Sequence, residues 1–237
     1  MVVLARGRAT RHGALMQPDL PQTEIAIVEM TNTFRRSSAL QEVRPNPVLA
    51  EAARAFALYL ATSGKFGHSA DGREPHQRTE ERGYRHCLVA ENLAWNADSR
   101  GFQTRQLAGE IVQGWKESPG HRENMLLADA TEIGVAVVPA PYRVLKFIAV
   151  QILARPERDS IRFTIRNISG GSVRYAIGEE SDTVDSSSSI THERCDTPQL
   201  VFEKPGAGPI RILPRDGDLI TVSRETVRGL KVDVKAK

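Results

Sequence analysis

The change of apolar period near Arg155–Asp159 constrains this chain more than any other feature. Before it, Leu49, Ala53, Phe56 and Leu60 fall at i, i+4, i+7 and i+11, one face of a helix. After it, Ile161, Phe163 and Ile165 alternate with Arg162, Thr164 and Arg166, the period of a strand. A helical stripe and an alternating strand bury their apolar faces in different ways, so two kinds of packing are expected along one chain. The expected fold class is α+β. Residues 1–21 read as a flexible N-terminal tail, 22–156 as an α-β-α sandwich, and 157–237 as a small all-β, sandwich-like domain. At 237 residues each half is long enough for its own core.

Local signals place the elements. Thr23 can cap a helix running to about Arg36. Asn46 caps the next, Pro47 suits its first turn and Gly64 ends it. A loop follows from Phe66 to Gly72, then a short helix near His76–Arg82. Leu88–Trp95 reads as extended. Thr104 opens a helix with Leu107, Ile111 and Trp115 on one face, broken by Pro119-Gly120. Thr131–Val138 and Lys146–Leu153 pair as a hairpin around Pro139 and Pro141. Beyond Pro156, six or so short strands are separated by turns such as Gly170-Gly171 and Arg215-Asp216-Gly217-Asp218, with Ser186–Ser189 as a polar loop.

Composition excludes several classes. Charged residues make up 26% and hydrophobic residues 40%, which fits a folded globular chain. The net charge is only +3, and from Glu157 onward 13 basic residues balance 13 acidic ones. No nucleic-acid partner is expected, because there is no concentrated basic face. Arg6, Arg8 and Arg11 cluster in the expected tail and read as solvated. No apolar run reaches the roughly 18 residues of a membrane span. Met1–Ala5 is too short for a signal-peptide core and is interrupted by Arg6 and Arg8. The two cysteines, Cys87 and Cys195, are too few for a disulfide scaffold and fall in different expected domains, so both are expected as free thiols.

Three polar residues stand at element ends, where side chains can converge: His68 in GHS, Glu91 in AENLAW and His121 in WKESPGHREN. Two imidazoles and a carboxylate can hold Zn²⁺ with a position open to water, or perform acid–base work. The blander alternative has His68 bonding loop backbone and Glu91 capping a turn. His76 and His86 read as surface residues, and Trp95 and Trp115 as core. Glu123 suits its own turn and Glu132 a solvated strand end. His192 and Cys195, three apart, are too small a set for structural zinc. No phosphate-binding loop, dinucleotide fingerprint or nucleophile elbow occurs.

Taken in order, these motifs carry a resemblance. Asn32-Thr33-Phe34-Arg35, the run PVLAEAARAFALYLATSGKFGHSADGREPHQRTEERGY, then AENLAW, WKESPGHREN and TEIGVAV are similar to the bacterial-type CAP superfamily, the SCP domain, over residues 23–155. The resemblance implies a cleft lined by two histidines and two glutamates. His68, Glu91 and His121 match three of them. The remaining glutamate is expected three residues after Trp115, where this chain has Ser118. Glu117 is one residue early, about 100° away around a helix. Metal ligation is therefore expected from His68 and His121 alone, with weak Zn²⁺ as the cofactor. The resemblance further implies secretion or a periplasmic location, and binding of a lipid- or sterol-like ligand, a divalent metal, or both, without catalysis. A metal- or His/Glu-dependent hydrolase is the first alternative. An envelope-associated adaptor binding a protein partner through its β-domain is the second.

Overall fold

A computed structural model describes residues 15–196, 199–203, 208–225 and 229–236. The basic trio Arg6, Arg8 and Arg11 lies outside them. The described chain opens with Met16 bridging Gly101, and α1 then spans Leu20–Ser37. Leu20 and Pro21, expected in the tail, form the first turn of α1. Asp19, not Thr23, is the cap: its carboxylate accepts from the Gln22 amide. Thr23 instead turns its hydroxyl back to the Asp19 carbonyl.

The short β1 (Arg44–Pro45) leads into α2 (Pro47–Ser63), capped by Asn46 and closed by Gly64 at φ +70°, as its sequence predicts. Then come α3 (Pro75–Glu80), β2 (His86–Asp98) and α4 (Thr104–Glu117). Pro119 does break α4, but it also starts a new helix, α5 (Pro119–Met125), because a proline is tolerated in a first turn. Strands β3 (Glu132–Ala140) and β4 (Leu145–Pro156) complete a four-stranded sheet of order β1-β3-β4-β2. β3 and β2 pair antiparallel with β4, whereas β1 runs parallel to β3.

This sheet is the middle layer of the sandwich. One face packs Val135, Val137, Ala149 and Leu153 against α1, α4 and α5 through Ile27, Leu107, Trp115 and Met125. The other packs Ala136, Val150, Ile152 and Leu93 against Leu49, Ala53, Phe56 and Leu60 of α2. Asn32 and Arg35, the polar pair of the first helix, are structural. Asn32 exchanges two hydrogen bonds with the Val43 backbone, at 3.0 and 2.9 Å. Arg35 is fully buried and donates to the carbonyls of Gln41, Met125, Leu127 and Ala130.

Beyond a 3-10 turn at Glu157–Asp159, the described residues form eight short strands. They are β5 (Ile161–Asn167), β6 (Val173–Ile177), β7 (Glu180–Val184), β8 (Ser189–Arg194), β9 (Leu200–Phe202), β10 (Ile210–Ile212), β11 (Leu219–Glu225) and β12 (Gly229–Lys235). They form two sheets, β10-β9-β6-β7 and β12-β11-β5-β8, over a separate core around Phe163, Tyr175, Phe202 and Ile220. β7 and β8 were not foreseen; the strand β8 already begins at Ser189, the last residue of the expected loop. His192 bonds the Tyr175 hydroxyl through Nε2 at 2.9 Å, and burial pushes that phenol up to about 12.

The expectation of two free thiols is overturned. Cys87 and Cys195 form a disulfide, with Cα atoms 5.4 Å apart. Their 108-residue separation in sequence hid the pairing. The end of β8 lies beside the start of β2, and only the folded arrangement brings them together. Non-reducing peptide mapping is expected to recover a linked Cys87–Cys195 peptide, and alkylation of unfolded, unreduced protein to label neither cysteine.

Candidate functional site

The loop after α2 delivers His68 to the side of β2. Nδ1 of His68 lies 2.9 Å from Oε1 of Glu91, which is almost wholly buried. An ionised carboxylate only accepts, so Nδ1 carries the proton and Nε2 of the neutral ring is left as the lone-pair nitrogen. The other oxygen, Oε2, accepts from Nη2 of Arg78 at 2.8 Å. Arg78 is buried too. It lies 3.6 Å from the ring centroid of Phe56, and its Nη1 bonds Asp71 and the Arg73 carbonyl. Glu91 is thus neutralised by a buried guanidinium on one side and aims an imidazole on the other. The Glu91 hydrogen bond holds the His68 pKa above its ordinary value, against the opposing effect of burial.

His121 stands in the first turn of α5, half-buried. Burial, and then the nearby charge of His68, depress its pKa. The two imidazoles are within electrostatic reach and are pushed in opposite directions, one toward protonation and one away from it. Asn92 fixes α5 against β2: its amide donates to the His121 carbonyl at 3.0 Å and to Gln151 at 2.9 Å. Asn124 returns from α5 to the Glu91 carbonyl and to Oδ1 of Asn92. These two asparagines position the site, and sequence reasoning passed over them. Each lies within a family-like motif, Asn92 in AENLAW and Asn124 in WKESPGHREN.

Glu117 does not join the site. It is exposed and accepts from Gln113 one turn earlier on α4, the consequence of its being one residue out of phase. Among the described residues, no group of three or more His, Cys, Asp or Glu is placed to hold an ion. Glu132 is not a solvated strand end but a buried junction, accepting from Asn46, Tyr84 and Arg158. His86 is mostly buried and stacks on His76. Trp115 is core, as expected, with its indole N–H on the Leu93 carbonyl. Trp95 is not: it is 54% exposed on the edge strand β2, with Lys146 Nζ 5.1 Å from its ring centroid.

A model of the CAP, or cysteine-rich secretory protein, family matches residues 28–153, more than half of the chain. The protein YkwD of Bacillus subtilis is 30% identical over 116 residues, which cover 48% of this chain and 42% of that one. The chain therefore spans less than half the length of that relative. Among solved structures, an outer surface protein of Borrelia burgdorferi is 19% identical, covering 57% of this chain and 93% of that one with a TM-score of 0.49. An extracellular SCP-domain protein of Bacillus anthracis is 23% identical, covering 57% and 41% with a TM-score of 0.46. With the motifs in order and the three-layer sandwich they build, the chain belongs to the cysteine-rich secretory protein (CAP) family.

Proposed function

We propose that this chain is a binding protein rather than a catalyst, and that His68 and His121 form an open, weak site for a divalent transition metal. The contact between Nδ1 of His68 and Glu91 carries the reading. A carboxylate behind one ring nitrogen orients the other toward a ligand, the usual arrangement of a metal-binding histidine. Glu91 suits this orienting role and not direct ligation, because Arg78 occupies its second oxygen. Two imidazoles favour Zn²⁺, Cu²⁺ or Ni²⁺ over Ca²⁺ or Mg²⁺, and water would complete the shell. The two imidazoles would donate lone pairs to the ion, and the ion, when bound, would supply a Lewis acid at a polar cleft.

Zinc titration by calorimetry is the test. Wild type is expected to bind with modest affinity near neutral pH. Binding requires neutral imidazoles. Because the His68 pKa is raised, affinity is expected to start falling above the ordinary histidine range of about 6.5 and to be lost below it. The double variant His68→Ala/His121→Ala should not bind. Equal binding by the two proteins would place the metal elsewhere, and no binding by wild type would leave a purely hydrogen-bonded cleft.

A separate observation supports a lipid-like ligand. A groove of about 760 Å³ opens between α1 and α2, its apolar lining of Ile25, Val28, Pro45, Pro47, Ile133 and Val135 interrupted by the charged side chains of Glu24, Glu29, Arg36 and Glu42. Its size, its largely apolar surface and its charged flanks suit an amphipathic molecule with a hydrophobic body and a polar head. A secreted or periplasmic location is consistent with the Cys87–Cys195 bond, since such bonds persist in oxidising compartments. Among the described residues, no helix is long and apolar enough to cross a membrane.

A further inference from the structure

The outer edge of β2 is closed along one half and open along the other. Glu91 and Leu93 turn their carbonyls away from β4, where Asn124 and the Trp115 indole donate to them. In an antiparallel strand alternate residues direct both backbone groups to the same side. The pairing register with β4 is unbroken from Leu88 to Asp98, so Trp95 and Ala97 also turn outward. Among the described residues, nothing bonds the outward amide or carbonyl of either. Folded proteins normally cover or blunt such an edge.

The open stretch borders a groove. About 300 Å³ lies along Leu93–Asn96, walled by Phe66 on one side and by Glu110, Gly114 and Ser118 on the other, with His121 also lining it. Phe66 and Trp95 are half exposed, so apolar side chains would find partners there. Gly114 keeps the helix wall low, since a Cβ at that position would touch nothing within 4 Å. Glu110 places a carboxylate on the wall and favours a basic residue.

We infer that this edge binds an extended peptide segment of a partner protein, which adds a strand to β2 at Trp95 and Ala97. A donor and an acceptor repeating every second residue, beside a narrow groove, match the backbone of an extended peptide. The aromatic walls take its β-branched side chains and Glu110 takes a lysine. The site adjoins the histidine pair but does not depend on metal binding, and the two can fail separately.

The probe is a fluorescein-labelled peptide, Thr-Val-Lys-Val-Lys-Val-Thr, followed by fluorescence polarisation and by amide NMR shifts of the metal-free protein. Wild type is expected to bind, with the Trp95 and Ala97 amides shifting most. Ala97→Pro removes one outward donor without touching the β4 ladder, a place where an edge proline is tolerated. It should weaken binding at least tenfold at an unchanged melting temperature. Gly114→Leu, which fills the groove from a helix that gains propensity, should do the same. Methylating alternate peptide nitrogens should abolish binding in one phase and spare it in the other. Several results would overturn the inference: unchanged affinity in both variants, unshifted Trp95 and Ala97 amides at saturation, or no binding up to about 1 mM peptide. Quenching of Trp95 by chitotetraose without peptide binding would also overturn it, in favour of a stacked glycan.

Discussion

Gly134→Ala is expected to leave the CAP domain unable to fold stably. A Cβ at Gly134 would stand 2.2 Å from the Leu49 carbonyl carbon and 2.4 Å from the Ala50 amide nitrogen. Both atoms belong to the backbone of α2, so no side-chain rotation relieves the clash. α2 must lift away from β3, and the layer of Leu49, Ala53 and Phe56 against Ala136 and Val150 loses its contacts. Overpacking usually costs about 1–3 kcal/mol, and a backbone-on-backbone clash belongs above that range. Urea unfolding followed by circular dichroism would read the loss. A midpoint within experimental scatter of wild type would mean that α2 does not approach β3 so closely.

Arg35→Met is the second large effect. The methionine replaces much of the side-chain volume but donates nothing, which leaves the carbonyls of Gln41, Met125, Leu127 and Ala130 without their guanidinium. An unsatisfied buried polar group costs about 1–3 kcal/mol, and partial relaxation should bring the total to roughly 3–5 kcal/mol. Burial without a carboxylate partner already depresses the Arg35 pKa, so these carbonyl dipoles are what hold the charge. Arg35→Lys should fall between, since a lysine has three donors on one atom and cannot reach carbonyls spread around a planar fork. Chemical denaturation of the three proteins is the measurement. Equal stability of the methionine variant and wild type would show that water replaces the guanidinium. Because these carbonyls lie just after α1 (Gln41) and from the last residue of α5 onward (Met125, Leu127 and Ala130), local hydrogen exchange there should rise first.

Much of the architecture was legible in the chain. Asn46, Pro47 and Gly64 bound α2 to the residue, because capping chemistry is local. The alternation from Ile161 to Arg166 is read directly as β5, and the separate core of the later strands follows from it. The ordered motifs identify the family, and with it the expectation that His68, Glu91 and His121 converge. The fold brings Nδ1 of His68 to 2.9 Å from Oε1 of Glu91.

What the chain could not reveal depends on groups far apart in sequence. Cys87 and Cys195 meet because the end of β8 lies beside the start of β2, a matter of how one set of layers sits on another. Glu91 draws its charge partner from Arg78, 13 residues away, and nothing in either residue's neighbourhood announces a buried ion pair. Tryptophan is usually a core residue, but Trp95 lies exposed on the edge strand β2, a position that only the sheet order fixes. Glu132 became a junction only once α2, Tyr84 and Arg158 had gathered around it. Period, caps and motif order are properties of contiguous residues, so the sequence by itself determined most of the elements and the family, but not α5, β7 or β8. Charge pairing, exposure and cross-links are set by distance in space, and only the tertiary structure decided them.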